Sequence, residues 1–172
     1  MRKVIMGLAV SLDGFIEGPN GEYDWCFTDQ DYGLSAFMKR IDAIFMGRKT
    51  WDLARSMGQE SPWKGITTYV YSNTLASVNE KTTKLVRGDV VAETRKIKEA
   101  QGKDIWLFGG AELIATFMNE RLVDELWLSV HPILLGSGKP LFQKLIGRNH
   151  LKLTEVKEFD TGLVSLRYCL QQ

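Results

Sequence analysis

Two cysteines and two histidines in a chain of 172 residues leave little material for a metal centre or a disulfide scaffold. Cys26 and Cys169 form neither a Cys-x-x-Cys pair nor a zinc spacing, and His131 and His150 add no ligand cluster. No protein metal site is expected. Charge of one sign is also missing. The 22 basic residues stand against 21 acidic ones, so nothing electrostatic points to nucleic acid or to an acidic membrane. No apolar run is long enough to span a bilayer. Residues 1–10 begin with two basic side chains and continue apolar, as a signal peptide does. However, Ser11-Leu12-Asp13-Gly14 breaks the run early and no small-x-small cleavage site follows. We read this segment as a buried first strand, and the chain as a cytoplasmic protein.

Repeats, low-complexity tracts and Pro/Ser-rich linkers are absent too, and the length suits one domain over residues 1–172. What is present is an alternation of short apolar runs with helical patterns, the signature of an α/β sheet with crossover helices. Residues 4–10, 43–46 and 105–108 read as strands covered on both faces. Residues 67–71, 84–87 and 125–130 read as further strands. Leu34, Phe37, Met38 and Ile41 recur at helical spacing, with Asp29 or Asp31 available to cap the start. Further helices are expected over residues 50–57, with Trp51, Ala54 and Met57 inward, over 91–101, and after Gly110, with Leu113, Ile114, Phe117 and Met118 inward. Val164, Leu166, Tyr168 and Leu170 alternate as one face of an antiparallel strand, paired with residues 151–159 through the turn Asp160-Thr161-Gly162. The pattern of that partner strand breaks near Glu155, as at a bulge.

Two segments share one design. Strand 43–46 runs into Gly47-Arg48-Lys49-Thr50, and strand 105–108 runs into Gly109-Gly110-Ala111-Glu112. Each is a strand, a glycine and a helix start. A helix N-terminus presents unsatisfied N–H groups and partial positive charge, both suited to phosphate. Glycine lets the backbone approach a ligand. Arg48 and Lys49 oppose the helix dipole, which an anion bound there would explain, and Thr50 adds a hydroxyl. The plain alternative is that both glycines only make tight turns. Two such turns in one small domain, one of them basic, favour a diphosphate.

Other nucleotide motifs fail. No Gly-x-Gly-x-x-Gly follows a strand. Gly136-Ser137-Gly138-Lys139-Pro140 has a P-loop's composition, but Ile133 stands where its first glycine belongs and Pro140 where Ser or Thr would bind magnesium. Cys26 has no histidine near it in sequence and reads as a half-buried small side chain. His131, before Pro132, reads as structural. Trp25, Phe27, Trp51 and Trp63 lie in or beside segments leaving the sheet. They are candidates to wall a flat heteroaromatic substrate, with core packing as the plain alternative. Asp13 either faces substrate or is a turn residue.

Taken in order, these motifs resemble the dihydrofolate-reductase-like superfamily, and most of all the C-terminal reductase domain of the bifunctional riboflavin-pathway deaminase–reductase. The resemblance is carried by Ser11-Leu12-Asp13-Gly14-Phe15-Ile16, Met46-Gly47-Arg48-Lys49-Thr50-Trp51, Tyr71-Ser72-Asn73, Phe108-Gly109-Gly110-Ala111, Val123-Asp124-Glu125-Leu126 and Pro132-Ile133-Leu134-Leu135-Gly136-Ser137-Gly138 with Pro140-Leu141-Phe142. It implies an α/β fold with a roughly eight-stranded mixed sheet, mostly parallel with an antiparallel C-terminal strand, flanked by helices. It also implies NADPH as cofactor and a homodimer. By that resemblance Ala9 and Ile16 lie by the nicotinamide. Gly47, Arg48, Lys49 and Thr50 hold the diphosphate and approach the 2′-phosphate. Ser72, Asn73 and Arg87 read the adenosine end, and Gly109, Gly110, Ala111 and Glu112 cradle the diphosphate from the other side. Asp13, Trp25 and Trp51 are candidates for the substrate. True dihydrofolate reductases carry an acidic residue on the first helix. Counting back from Lys39-Arg40 puts Leu34 there, and Asp31, one turn earlier, is the candidate catalytic carboxylate. The activity implied is NADPH-dependent reduction of a pyrimidine- or pterin-like small molecule, like that of 5-amino-6-(5-phosphoribosylamino)uracil reductase. The alternatives are a catalytically silent NADPH-binding or regulatory module, and a dihydrofolate reductase.

Overall fold

Strand β1 (Val4–Ser11) lies inside an eight-stranded sheet, flanked by parallel β6 (Asp104–Gly109) and β7 (Glu125–His131). A computed structural model describes residues 1–56 and 65–171, and the expected Met57 and Trp63 lie outside that set. Val4 and Met6 enter one apolar cluster with Phe45, Leu107 and Phe117. Ile5 enters the other, with Ile44, Phe37 and Trp106. This is the two-residue period of a strand with both faces covered.

Beyond β6 the sheet continues through β3 (Ile41–Gly47), β4 (Thr67–Tyr71) and β5 (Thr83–Val86), all parallel. Beyond β7 lie β10 (Val164–Leu170) and β9 (Leu151–Glu158). β10 pairs antiparallel with both neighbours, so it is the one reversed strand of the eight. The helices are α1 (Leu34–Arg40), α2 (Arg48–Ser56), α3 (Val90–Glu99) and α4 (Ala111–Asn119). The sheet is mixed, mostly parallel with an antiparallel C-terminal strand, as expected. Among the described residues no helix is long and apolar enough to cross a membrane.

Three local outcomes matter. First, α1 is shorter than its apolar period suggests. Ile41 already opens β3, Leu34 is 44% exposed, and Phe37 is the residue the helix buries. The apolar spacing ran across an element boundary. Second, the break near Glu155 is a bulge. Glu155 pairs with Arg167 and Leu153 with Tyr168, leaving Thr154 inserted, its hydroxyl donating to the Arg167 carbonyl at 3.0 Å. Leu151, Leu153 and Val156 consequently pair with Leu170, Tyr168 and Leu166 and share one face. Third, β2 (Phe15–Glu17) and β8 (Lys139–Pro140) form a separate antiparallel ribbon that no sequence pattern marked, being too short to show alternation.

Candidate active site

β3 and β6 are neighbours, but their connections leave in opposite directions, to β4 on one side and to β7 on the other. Such a reversal opens a crevice at the carboxyl ends of the strands, where open α/β sheets bind ligands. Both glycine turns end there. A Cβ on Gly47 would lie 3.7 Å from the Gly110 nitrogen and 3.8 Å from the Gly109 carbonyl. One on Gly110 would lie 3.1 Å from the Thr50 hydroxyl. The two turns therefore abut through bare backbone. Gly109 adopts φ +112°, and the Gly109–Gly110 peptide is cis. α2 and α4 start side by side here, and Gly110 at the start of α4 has no side chain to cap the free N–H groups.

The more polar of two cavities, about 650 Å³, opens on one side of this seam, walled by Arg48, Lys49, Thr50, Ser72, Asn73 and Glu112 among others. Arg48 is paired with Asp52 one helical turn away, at 2.8 Å. Among the described residues no carboxylate pairs with Lys49. Asn73 accepts the Gly88 N–H at 3.0 Å, and Ser72 accepts that of Leu75 at 3.0 Å, fixing the loop after β4. On the other side lies a more apolar cavity of about 530 Å³, lined by Ala9, Ile16, Tyr23, Cys26, Trp106 and Phe108 among others. Its floor is rigid, because the Trp106 indole donates to the Gly7 carbonyl at 2.8 Å and a Cβ at Gly7 would sit 2.9 Å from that nitrogen. Lys49, Thr50, Gly110 and Lys139 line both cavities and form the joint between them.

Most of the residues expected at a cofactor site thus come together: Ala9 and Ile16 in the apolar lobe, and Gly47, Arg48, Lys49, Thr50, Ser72, Asn73, Gly110, Ala111 and Glu112 in the polar one. Gly109 lies beside them. Five others are placed elsewhere. The Arg87 guanidinium donates to the carbonyls of Leu75 and Ala76, away from the cavity lining. Asp13 is bound by backbone N–H groups of Leu135 and Gly136, at 3.1 and 2.7 Å. Trp25 packs edge-on against His131, ring centroids 5.2 Å apart. Trp51 is buried in the core, with Arg55 over its ring. Asp31 is exposed and accepts the N–H groups of Gly33 and Ser35, at 3.2 and 2.9 Å. The Ser35 side chain and backbone, ahead of the other contributions, hold its carboxyl below the ordinary range. It steadies the start of α1 and lines neither lobe.

His131 is structural, as expected. Its Nδ1 faces the Ser129 carbonyl at 3.0 Å and its Nε2 accepts the Phe27 N–H at 3.1 Å. Among the residues the sequence did not single out for the site are Glu17, Tyr23, Leu53, Phe108 and Lys139; Cys26 joins them, its thiol pushed up to about 11 by burial. Phe108 was findable as the last side chain before the second glycine turn. Glu17 and Lys139 were not, since they arrive on the unmarked ribbon.

Residues 2–165 match the RibD C-terminal domain family, and the chain belongs to that family. Over 97% of its length it is 43% identical to the uncharacterized protein YyaP of Bacillus subtilis (strain 168), spanning 94% of that protein. The crystal structure of a putative riboflavin biosynthesis protein from Shewanella sp. PV-4 is 28% identical, with TM-score 0.89 and full coverage of both chains. Dihydrofolate reductase from Enterococcus faecalis, complexed with NADP(H), shares the fold at TM-score 0.71 and 16% identity, over 99% of this chain and 97% of that one.

Proposed function

We propose that this member of the RibD C-terminal domain family is an NADPH-dependent reductase of a pyrimidine- or pterin-like small molecule, acting as a homodimer. The observation that carries the reading is the abutment of the two glycine turns, with a polar lobe on one side and a flat-walled apolar lobe on the other. The residues fit a dinucleotide. The cradle a Cβ at Gly110 would fill suits a diphosphate, beside the Thr50 hydroxyl and the Lys49 ammonium. Ser72 and Asn73 lie where the adenosine end would rest. Arg48 and Lys49 supply the cations a 2′-phosphate needs. Ala9 and Ile16 would hold the nicotinamide.

A bound dihydronicotinamide supplies hydride. The chain's own contribution is to align. Trp106 and Phe108 give a rigid wall for a planar acceptor. The likeness to the putative riboflavin biosynthesis protein of Shewanella sp. PV-4 makes a ribosylaminopyrimidine the first substrate to try. The homodimer rests on the exposed apolar face of β9, where Leu151, Leu153 and Val156 are 37, 48 and 49% exposed.

One observation favours a second reading, nucleotide binding without turnover. The candidate carboxylate Asp31 lies outside both lobes. It also weakens the dihydrofolate reading. A single experiment separates these. NADPH is titrated while following tryptophan fluorescence, then NADPH oxidation is followed with the ribosylaminopyrimidine and with dihydrofolate. Saturable binding below about 1 mM, within the usual range for enzyme ligands, and oxidation with either compound are expected. Binding without oxidation selects the silent module. Absence of binding by NADPH and NADH alike rejects both.

A further inference from the structure

The joint between the two lobes has two walls. One is the glycine seam with Lys49 and Thr50. The other is the β2–β8 ribbon, which carries Lys139. Lys139 therefore reaches the joint from the ribbon, and Lys49 reaches it from α2. Its ammonium donates to both carboxylate oxygens of Glu17, at 3.1 and 3.3 Å, and Glu17 is the residue paired with it across the ribbon.

The ribbon is built to bring Lys139 there. A Cβ at Gly138 would stand 2.1 Å from the Glu17 carbonyl, so only glycine lets the two backbones approach. Upstream, the Asp13 carboxylate grips the N–H groups of Leu135 and Gly136. The Gly136-Ser137-Gly138-Lys139 segment is no P-loop, yet its glycines and lysine serve the same joint by another route.

The Lys139–Glu17 pair is open to solvent, the side chains being 41 and 33% exposed. A pair so exposed is weakly held. A phosphate offers the same ammonium charge-assisted hydrogen bonds of at least equal strength. We propose that Lys139 is a binding residue for the diphosphate of a dinucleotide spanning the two lobes, and that Glu17 is its displaceable resting partner. Lys139 then meets the anion from the ribbon and Lys49 meets it from α2, so two cations serve it. This rests on the NADPH reading above and adds a residue pair to it.

The two side chains must act with opposite sign, which a merely structural ribbon would not do. Lys139→Gln is expected to weaken NADPH about tenfold, the loss of one charge-assisted hydrogen bond, and to flatten the salt dependence of the Kd. Glu17→Gln is expected to tighten NADPH, because the ammonium no longer leaves a charged partner. Lys139→Arg should retain most of the affinity. Adenosine 2′-monophosphate, which lacks the diphosphate, should bind all four proteins alike. Affinities are read by tryptophan fluorescence, with thermal melting to confirm that each variant folds. If Lys139→Gln and Glu17→Gln weaken NADPH together, or if neither changes it, the proposal is wrong while the NADPH reading stands. If the unaltered protein does not bind NADPH, both fall.

Discussion

The carboxylate of Asp13, at the end of the first strand, accepts the backbone N–H of Gly136 at 2.7 Å across 123 positions of sequence. The Ser11 hydroxyl first, and then the N–H groups of Gly136 and Leu135, hold its carboxyl below the ordinary range. A group depressed in the folded state contributes stability above its unfolded value, and that contribution is lost as pH falls through the folded value. The protein should therefore lose thermal stability more steeply below about pH 4 than its Asp13→Asn variant, given an unfolded aspartate near that value. Tm measured between about pH 2 and pH 6 checks this; parallel curves would remove the clamp from the account.

Gly109 and Gly110 should respond differently to a methyl group. Gly109 sits at φ +112°, where an L side chain is strained, and its Cβ would approach the Ile114 Cδ1 at 3.2 Å. Gly109→Ala is expected to destabilise by about 1–3 kcal/mol. Gly110 has φ −77° and ψ −167°, open to any residue, but its Cβ would crowd the Thr50 hydroxyl at the joint. Gly110→Ala should keep a near-normal Tm and lose NADPH affinity. Denaturant melts and a binding titration separate the two, and equal loss of stability in both would contradict the assignment.

His131 should stay neutral to lower pH than a free histidine. Desolvation lowers its pKa, ahead of the opposing hydrogen bonds. Protonation would also set an Nε2–H against the Phe27 N–H it now accepts. The stability it contributes is present above the unfolded value, about 6.5, and is lost as pH falls through the lower folded value. Following the ring protons and the Phe27 amide by NMR through this range tests it. A titration at or above the free value would show that the ring is not held as described.

Cys26 reports on the apolar lobe. With its thiol near 11, it is almost wholly protonated around pH 8 and should alkylate far more slowly than a free cysteine thiol. NADPH together with a heterocyclic substrate should slow it further. Mass spectrometry assigns the site, with Cys26→Ser as the control. Protection confined to Cys169 would place the ligand elsewhere.

The apolar face of β9 should be covered in solution. Light scattering is expected to give twice the chain mass, and Leu153→Lys or Val156→Glu should halve it without lowering activity per chain by unfolding. A monomer at high concentration would remove the homodimer.

The strands and the two glycine turns were readable because each rests on a local rule. A doubly covered strand is apolar throughout, as in Val4, Ile5 and Met6, and the residue ending such a strand before a helix is glycine. The bulge at Thr154 was readable as a broken alternation. What could not be read depends on encounters between distant segments. Trp51 and Arg87 sit beside site residues in sequence, yet one fills the core and the other holds carbonyls of a neighbouring loop. Asp31 has the chemistry of an acid but is used by the first turn of α1. Glu17 and Lys139 belong to a ribbon of three and two residues, and only the paired backbones show that they meet.

At the seam between Gly47 and Gly110 the proposed anion seat is made of main chain. Its main-chain part offers no side chain to exchange, so retuning falls to the side chains around it, Lys49, Thr50 and Lys139. The walls beside it are side chains, among them Tyr23, Cys26, Leu53 and Phe108. The architecture separates two tasks: a seam of main chain for the proposed anion, and beside it a chamber walled by side chains, where substitution changes shape without touching the seam.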